Sequence, residues 1–193
     1  MRRFRRFRID ALLAFSATAT LIMAAAADAG ESFHETFHDT ETHIEENFCG
    51  VPRLTVEFTR KSVTRMHVVP RGRDGLPYFS FHIKGTETVR NLANDNTVTG
   101  TFTVTDKDLR VTDNGDGTLT ILVLATGNAA LYGETGKAMA RNPGQTRFEI
   151  LVDHAGTPAD PSDDEFLEFL GEVKESTGRT DDYCEAAVPA LTQ

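Results

Sequence analysis

Positive charge is scarce in this 193-residue chain, which carries 20 Lys and Arg against 29 Asp and Glu. A net charge of −9 excludes the basic surface that nucleic acid or an anionic membrane requires of a partner. Cysteine is scarcer still, with only Cys49 and Cys184. Neither belongs to a C-x-x-C pair or has a histidine beside it, so nothing supports a thiolate metal site or a dithiol redox motif. There is no G-x-S-x-G nucleophile elbow, and Ser62 and Ser80 have no partner that spacing can assign. Beyond residue 27 no stretch is apolar enough to span a bilayer as a helix.

What is present begins with a leader. Five arginines fall within the first eight positions, an apolar run covers Ala11 to Ala27, and small residues end in Ala27-Asp28-Ala29. That order of basic, apolar and small segments predicts a secretory signal peptide over 1–29, cut after Ala29 or alternatively Ala27. The run is short, and rich in Ala and Thr, for a retained anchor. The Arg-Arg pairs invite a twin-arginine route, but Asp10 and the sequence after Arg6 match it poorly. The expected address is therefore secreted or extracellular. Loss of the leader takes the net charge to about −12. In an oxidising compartment Cys49 and Cys184 are expected to form a disulfide, tying the C-terminal tail to the first strand of the domain.

Hydrophobic residues alternate with period two over most of the chain beyond the leader. Leu54, Val56 and Phe58 open one strand. Ser62 to Val69, Leu76 to Lys84, Thr86 to Leu92, Val98 to Thr105, Leu109 to Val111, Thr118 to Ala125 and Arg147 to Val152 supply others. Arg71 to Pro77, Ala93 to Asn96 and Asn114-Gly115-Asp116-Gly117 are turn signals. The expected fold is mainly β: an antiparallel barrel, lipocalin-like or allene-oxide-cyclase-like, or a sandwich, of seven to nine strands with one C-terminal helix. That helix is placed near 161–175. Asp160 caps it, Pro161 takes the first position, Asp163, Asp164 and Glu165 suit the dipole, and Phe166, Phe169, Leu170 and Val173 recur at i, i+3, i+4 and i+7. Residues 30–47 read as an extension or edge strand, and 48–193 as a single domain.

Two motifs suggest metal. His34-Glu35-Thr36-Phe37-His38 matches H-E-x-x-H, and His43 lies five residues beyond it. Two histidines at i and i+4 hold zinc on a helical turn. Here the residues favour an extended segment close behind the leader, where His34 and His38 would lie ~13 Å apart. Thr112 to Thr118, TDNGDGT, partly fits a calcium loop, but Thr112 and Val123 stand where carboxylates are needed. No metal and no cofactor are expected.

Tyr78 and His82 are candidate cavity residues. His82 lies opposite Phe79, Phe81 and Ile83 on its strand, so it points to solvent if that aromatic face is the packed core, and inward, as an acid or base, if the barrel is hollow.

The segments FCGVP (Phe48 to Pro52), VTDNGDGTLTILVLATG (Val111 to Gly127) and RFEILVDHAGTPADPSDDEFLEFLGEVKESTGR (Arg147 to Arg179), with DYCEA beyond them, resemble a family of small secreted bacterial proteins of unknown function. The resemblance implies that both cysteines belong to a shared frame. It supplies no catalytic residue and does not extend to His34, His38 and His43. Three functions stay open: a module that binds a small apolar ligand inside a barrel, a structural or surface-interaction protein without a pocket, and a barrel-type isomerase or cyclase. The first leads, with no nucleic-acid partner and no stable membrane insertion after cleavage.

Overall fold

The computed structural model describes residues 32–193; the leader lies outside them. Seven strands succeed one another as an antiparallel meander: β1 (Phe33–Glu45), β2 (Val56–Arg71), β3 (Leu76–Asn91), β4 (Thr97–Asp113), β5 (Thr118–Tyr132), β6 (Ala138–Asp153) and β7 (Glu165–Lys174). Each pairs only with its neighbours in sequence, so β1 and β7 are open edges of one sheet. A C-terminal helix, α1 (Tyr183–Thr192), completes the fold. The mainly β architecture with a C-terminal helix is as expected, in the form of an unclosed sheet.

The strands are far longer than the usual five or six residues. Breaks expected at Arg60-Lys61, at Gly85 and at Asp106 to Asp108 do not occur: the ladder runs through the first two, pairing Arg60 with Glu87 and Ser62 with Gly85, and β4 runs through the third. One face carries nearly all the buried side chains. Its residues divide into two clusters at opposite ends of the strands. Val56, Val89, Val98, Leu131 and Ala140 meet Ala187 and Leu191 of α1 at one end. Val111, Leu119, Ile121, Val123, Phe148 and Val152 form the other, with Leu76 and Tyr78 of β3 packed against them. Leu119 is fully buried although the described residues hold no second sheet to cover it, so the sheet must coil around this face, which is concave.

Between the clusters runs a belt of small residues. Gly85 of β3 pairs with Phe102, Gly127 of β5 with Val104, and Gly144 of β6 with Gly127. Glycines inside strands permit bending and close approach. The Phe102 ring occupies the space where a Gly85 side chain would stand.

The helix expected near 161–175 is not there. Asp160 does cap, accepting from the Ser162 amide at 3.0 Å, but the turn over Pro161–Asp163 ends after three residues. The chain then enters β7, whose pairing with β6 skips Leu167, Leu170 and Val173. A bulge every third residue advances the side-chain phase, giving a strand the i, i+3 spacing of a helix. The true helix starts at Asp182, whose carboxylate accepts from the Glu185 amide at 2.9 Å. Asp182 and Glu185 have the D-x-x-E spacing of a capping pair, a signal masked by Pro189 in the helix interior.

Helix α1 is fastened at both ends. Cys184 is bonded to Cys49 in the single-turn helix Phe48–Gly50, with Cα atoms 5.6 Å apart. At its C-terminus, side-chain amides of the β3–β4 turn donate to carbonyls that the helix leaves unpaired: Asn91 and Asn94 to Leu191 O at 2.9 and 3.0 Å, and Asn96 to Gln193 O at 2.9 Å. No helix among the described residues is long and apolar enough to cross a membrane.

Candidate functional site: a cleft on the concave face

Where the glycine belt removes side chains from the middle of the sheet, a cleft of about 60 Å³ opens between the two clusters. Ala125, Gly127 and Ala129 of β5 and Gly144 of β6 form its floor, and Phe102 and Phe148 stand on either side. The segment after β7 crosses one edge. Thr177 N donates to Gln145 O at 3.0 Å, and Ser176 rests over Gly144 with its hydroxyl buried and unpartnered. Gly178 is packed against Pro143 and Gly144 so closely that a side chain there would overlap the β6 backbone.

Asp106 gives the cleft its polar character. Burial pushes its carboxyl up to about 6. Two residues along the same face, Asp108 is raised to about 7 by burial, while the hydrogen bond from Phe79 N at 2.7 Å acts in the opposite direction. Asp164, near the β6–β7 connection, also reaches about 7 through burial. These carboxyls hold protons in the folded chain that the unfolded chain releases from about pH 4. Their stabilising contribution is complete below pH 4 and is lost as pH rises through 6 to 7. The lowered carboxyls of Asp116, Asp160 and Asp181 titrate below pH 4 and leave that window undisturbed. We expect the urea midpoint to fall between pH 5 and pH 8, and Asp108→Asn to flatten that fall, because an amide oxygen still accepts from Phe79 N without carrying charge.

Farther along the same face, Arg60 is buried with its guanidinium 4.3 Å over the Phe102 ring. Glu87 and Glu41 stand opposite it in register. Burial raises the Glu87 carboxyl and Arg60 pulls it back. The face is thus apolar at both ends and ionisable in its middle.

The residues singled out from sequence lie elsewhere. By register His82 faces outward, with its Nδ1 2.9 Å from Thr105 Oγ1, and it does not line the cleft. Tyr78 is absent from the cleft too. Its hydroxyl accepts from Val111 N at 3.2 Å, just past the last paired residues of β3 and β4, so it seals a gap in the ladder. The HETFH segment is the edge strand β1. His34 stacks on His67 at 3.9 Å between ring centroids, while His43 contacts Glu41 and Phe58. His38 borders a shallow outer hollow beside Lys61 and Lys84, whose charges oppose a metal ion. Among the described residues no group of three His, Cys, Asp or Glu side chains is placed to hold a metal. TDNGDGT forms the β4–β5 hairpin, with Gly115 and Gly117 at φ +74° and +94° and Asp113 and Asp116 bonded to the turn's own amides.

Asp106 was within reach of sequence reasoning. In TVTDKD, alternation from Val104 puts Asp106 and Asp108 on the face of Val98 and Phe102, a carboxylate pair where apolar residues belong. The chain matches no family model, no curated protein and no solved structure.

Proposed function

We propose that this is a secreted binding protein whose concave face takes the end of a small apolar molecule. The cleft carries the reading: alanine and glycine floor, phenylalanine walls and one convergent carboxyl are the composition of a ligand site. Its volume is well below the roughly 300 Å³ at the lower end for a drug-sized ligand. It suits a ring or branched alkyl end, with the remainder lying along the open face over Phe79, Phe81 and Ile83, all half-buried. Asp106, protonated or not, offers an acceptor to a hydroxyl or amine on the ligand. The disulfide agrees with the compartment.

Nile red, a neutral apolar dye, should bind saturably at one site. Ala129→Trp fills the cleft in a chain that has no tryptophan of its own, and should weaken binding about tenfold while reporting the site by its emission. If dye binding is unsaturable or indifferent to Ala129→Trp, and solvent extracts of the secreted protein hold no stoichiometric small molecule, the reading fails.

A further inference from the structure

We propose that the occupant of the cleft is a protonated amine on an apolar body, its nitrogen seated at Asp106 and its apolar end between Phe102 and Phe148. The inference rests on the reading of the cleft as a ligand site and adds the chemical class of the ligand. Asp106 is the only charged residue among those that line the cleft. Among the described residues it makes no hydrogen bond and no ion pair, and burial alone displaces its titration.

The strands on either side supply nothing that would neutralise it. In register Asp106 stands between Phe81 of β3 and Ala125 of β5. The next residues of that face are Phe79 and Ile83 on β3, and Val123 and Gly127 on β5. Along β4 itself the neighbours are Val104 and a second carboxyl, Asp108, about 7 Å away. Arg60, the buried cation of this face, has Glu87, Glu41 and Asp39 around it, and Arg71 acts on Asp108 and not on Asp106. A buried carboxylate is stable only when paired. This chain holds no partner for Asp106, so a cationic ligand supplies it, and the net charge of −9 draws cations toward the protein.

The walls decide the kind of cation. A calcium or magnesium ion needs about six oxygen ligands. Around Asp106 stand phenylalanine, alanine and glycine instead, and no group of three ligating side chains occurs among the described residues. An ammonium group on hydrocarbon meets both requirements: its charge pairs with the carboxylate, and its body fills the apolar cleft. Phe81, beside Asp106 in register, adds an aromatic surface of the kind that attracts cations. At the β6 edge of the cleft the buried Ser176 hydroxyl also lacks a partner, a second polar group that an occupant would satisfy.

Isothermal calorimetry should show phenethylamine binding at pH 7.5 about tenfold more tightly than phenethyl alcohol, which has nearly the same shape and no charge. At pH 5 the amine should bind about tenfold more weakly, because the Asp106 carboxyl, pushed up to about 6, is then mostly protonated, whereas the alcohol should lose no affinity. Asp106→Asn should bring amine and alcohol to within about twofold of each other. Equal affinities in the unaltered chain, an amine affinity indifferent to pH, or a preference that survives Asp106→Asn overturns the proposal. Nile red separates it from the reading beneath it. Saturable dye binding without a preference for the amine overturns the amine alone, and failure of dye, amine and alcohol to bind overturns both.

Discussion

Replacing Cys49 and Cys184 together by serine is expected to lower the melting temperature by ~10–20 °C, with the fold retained at low temperature. The bridge closes a loop of 135 residues, for which restriction of the unfolded chain contributes ~5 kcal/mol. Each kcal/mol moves the transition of a domain this size by roughly 2–4 °C. Native contacts beside the bridge are expected to persist without it. In the bridged structure Phe48 packs edge-on against Tyr183 at 6.3 Å and Ala187 and Leu191 are fully buried, contacts that do not involve the sulfur atoms and are expected to hold the helix when the bond is removed. Calorimetry of the double variant and of reduced wild type should agree. A shift of only a degree or two in both would mean that the unfolded chain is already compact enough to make the bridge redundant.

Adding a single methyl group at Gly85 is expected to cost ~3 kcal/mol, the upper end for overpacking. A Cβ there would stand 2.5 Å from the Lys61 carbonyl oxygen and within the Phe102 ring. The ring can move, but the carbonyl belongs to the β2–β3 ladder and cannot. Gly85→Ala should therefore lower the urea midpoint without changing the slope, and adding Phe102→Ala should recover only part of the loss. Full recovery would show that the ring alone requires the glycine.

Much of this fold was legible in the sequence because a meander writes its rules locally. The NGDG and RGRDG turns and the alternation of β5 from Leu119 to Ala125 obey short-range constraints, and the cysteine pair, though 135 residues apart, was legible because only two cysteines are present. The merging of short strands into long ones was not legible, because polar Arg60-Lys61 and Gly85 look like interruptions. Only the neighbouring strands show that Arg60 has Phe102 to lie over and that Gly85 makes room for it. The exchange of strand for helix in the C-terminal third arose from bulges that only pairing with β6 defines. The site was obscured for a related reason. His82, Tyr78 and HETFH carry recognisable chemistry, whereas the cleft is made by missing side chains on two strands, at Gly127 and Gly144, which no motif records.

The cap that Asn91, Asn94 and Asn96 place on the end of α1 bears on how the chain reaches this state. Every strand pairs only with its sequence neighbours, so the sheet can assemble in order as the polypeptide emerges, hairpin upon hairpin. Yet the first core to be framed, around Val56 and Val89, is finished by Ala187 and Leu191, and its turn amides are satisfied only by the last three residues. A chain lacking its final ten residues would have the whole sheet and an unfinished base. Cooperative folding must therefore wait for α1 to emerge, and removal of that helix should leave a nascent-like form open to proteolysis.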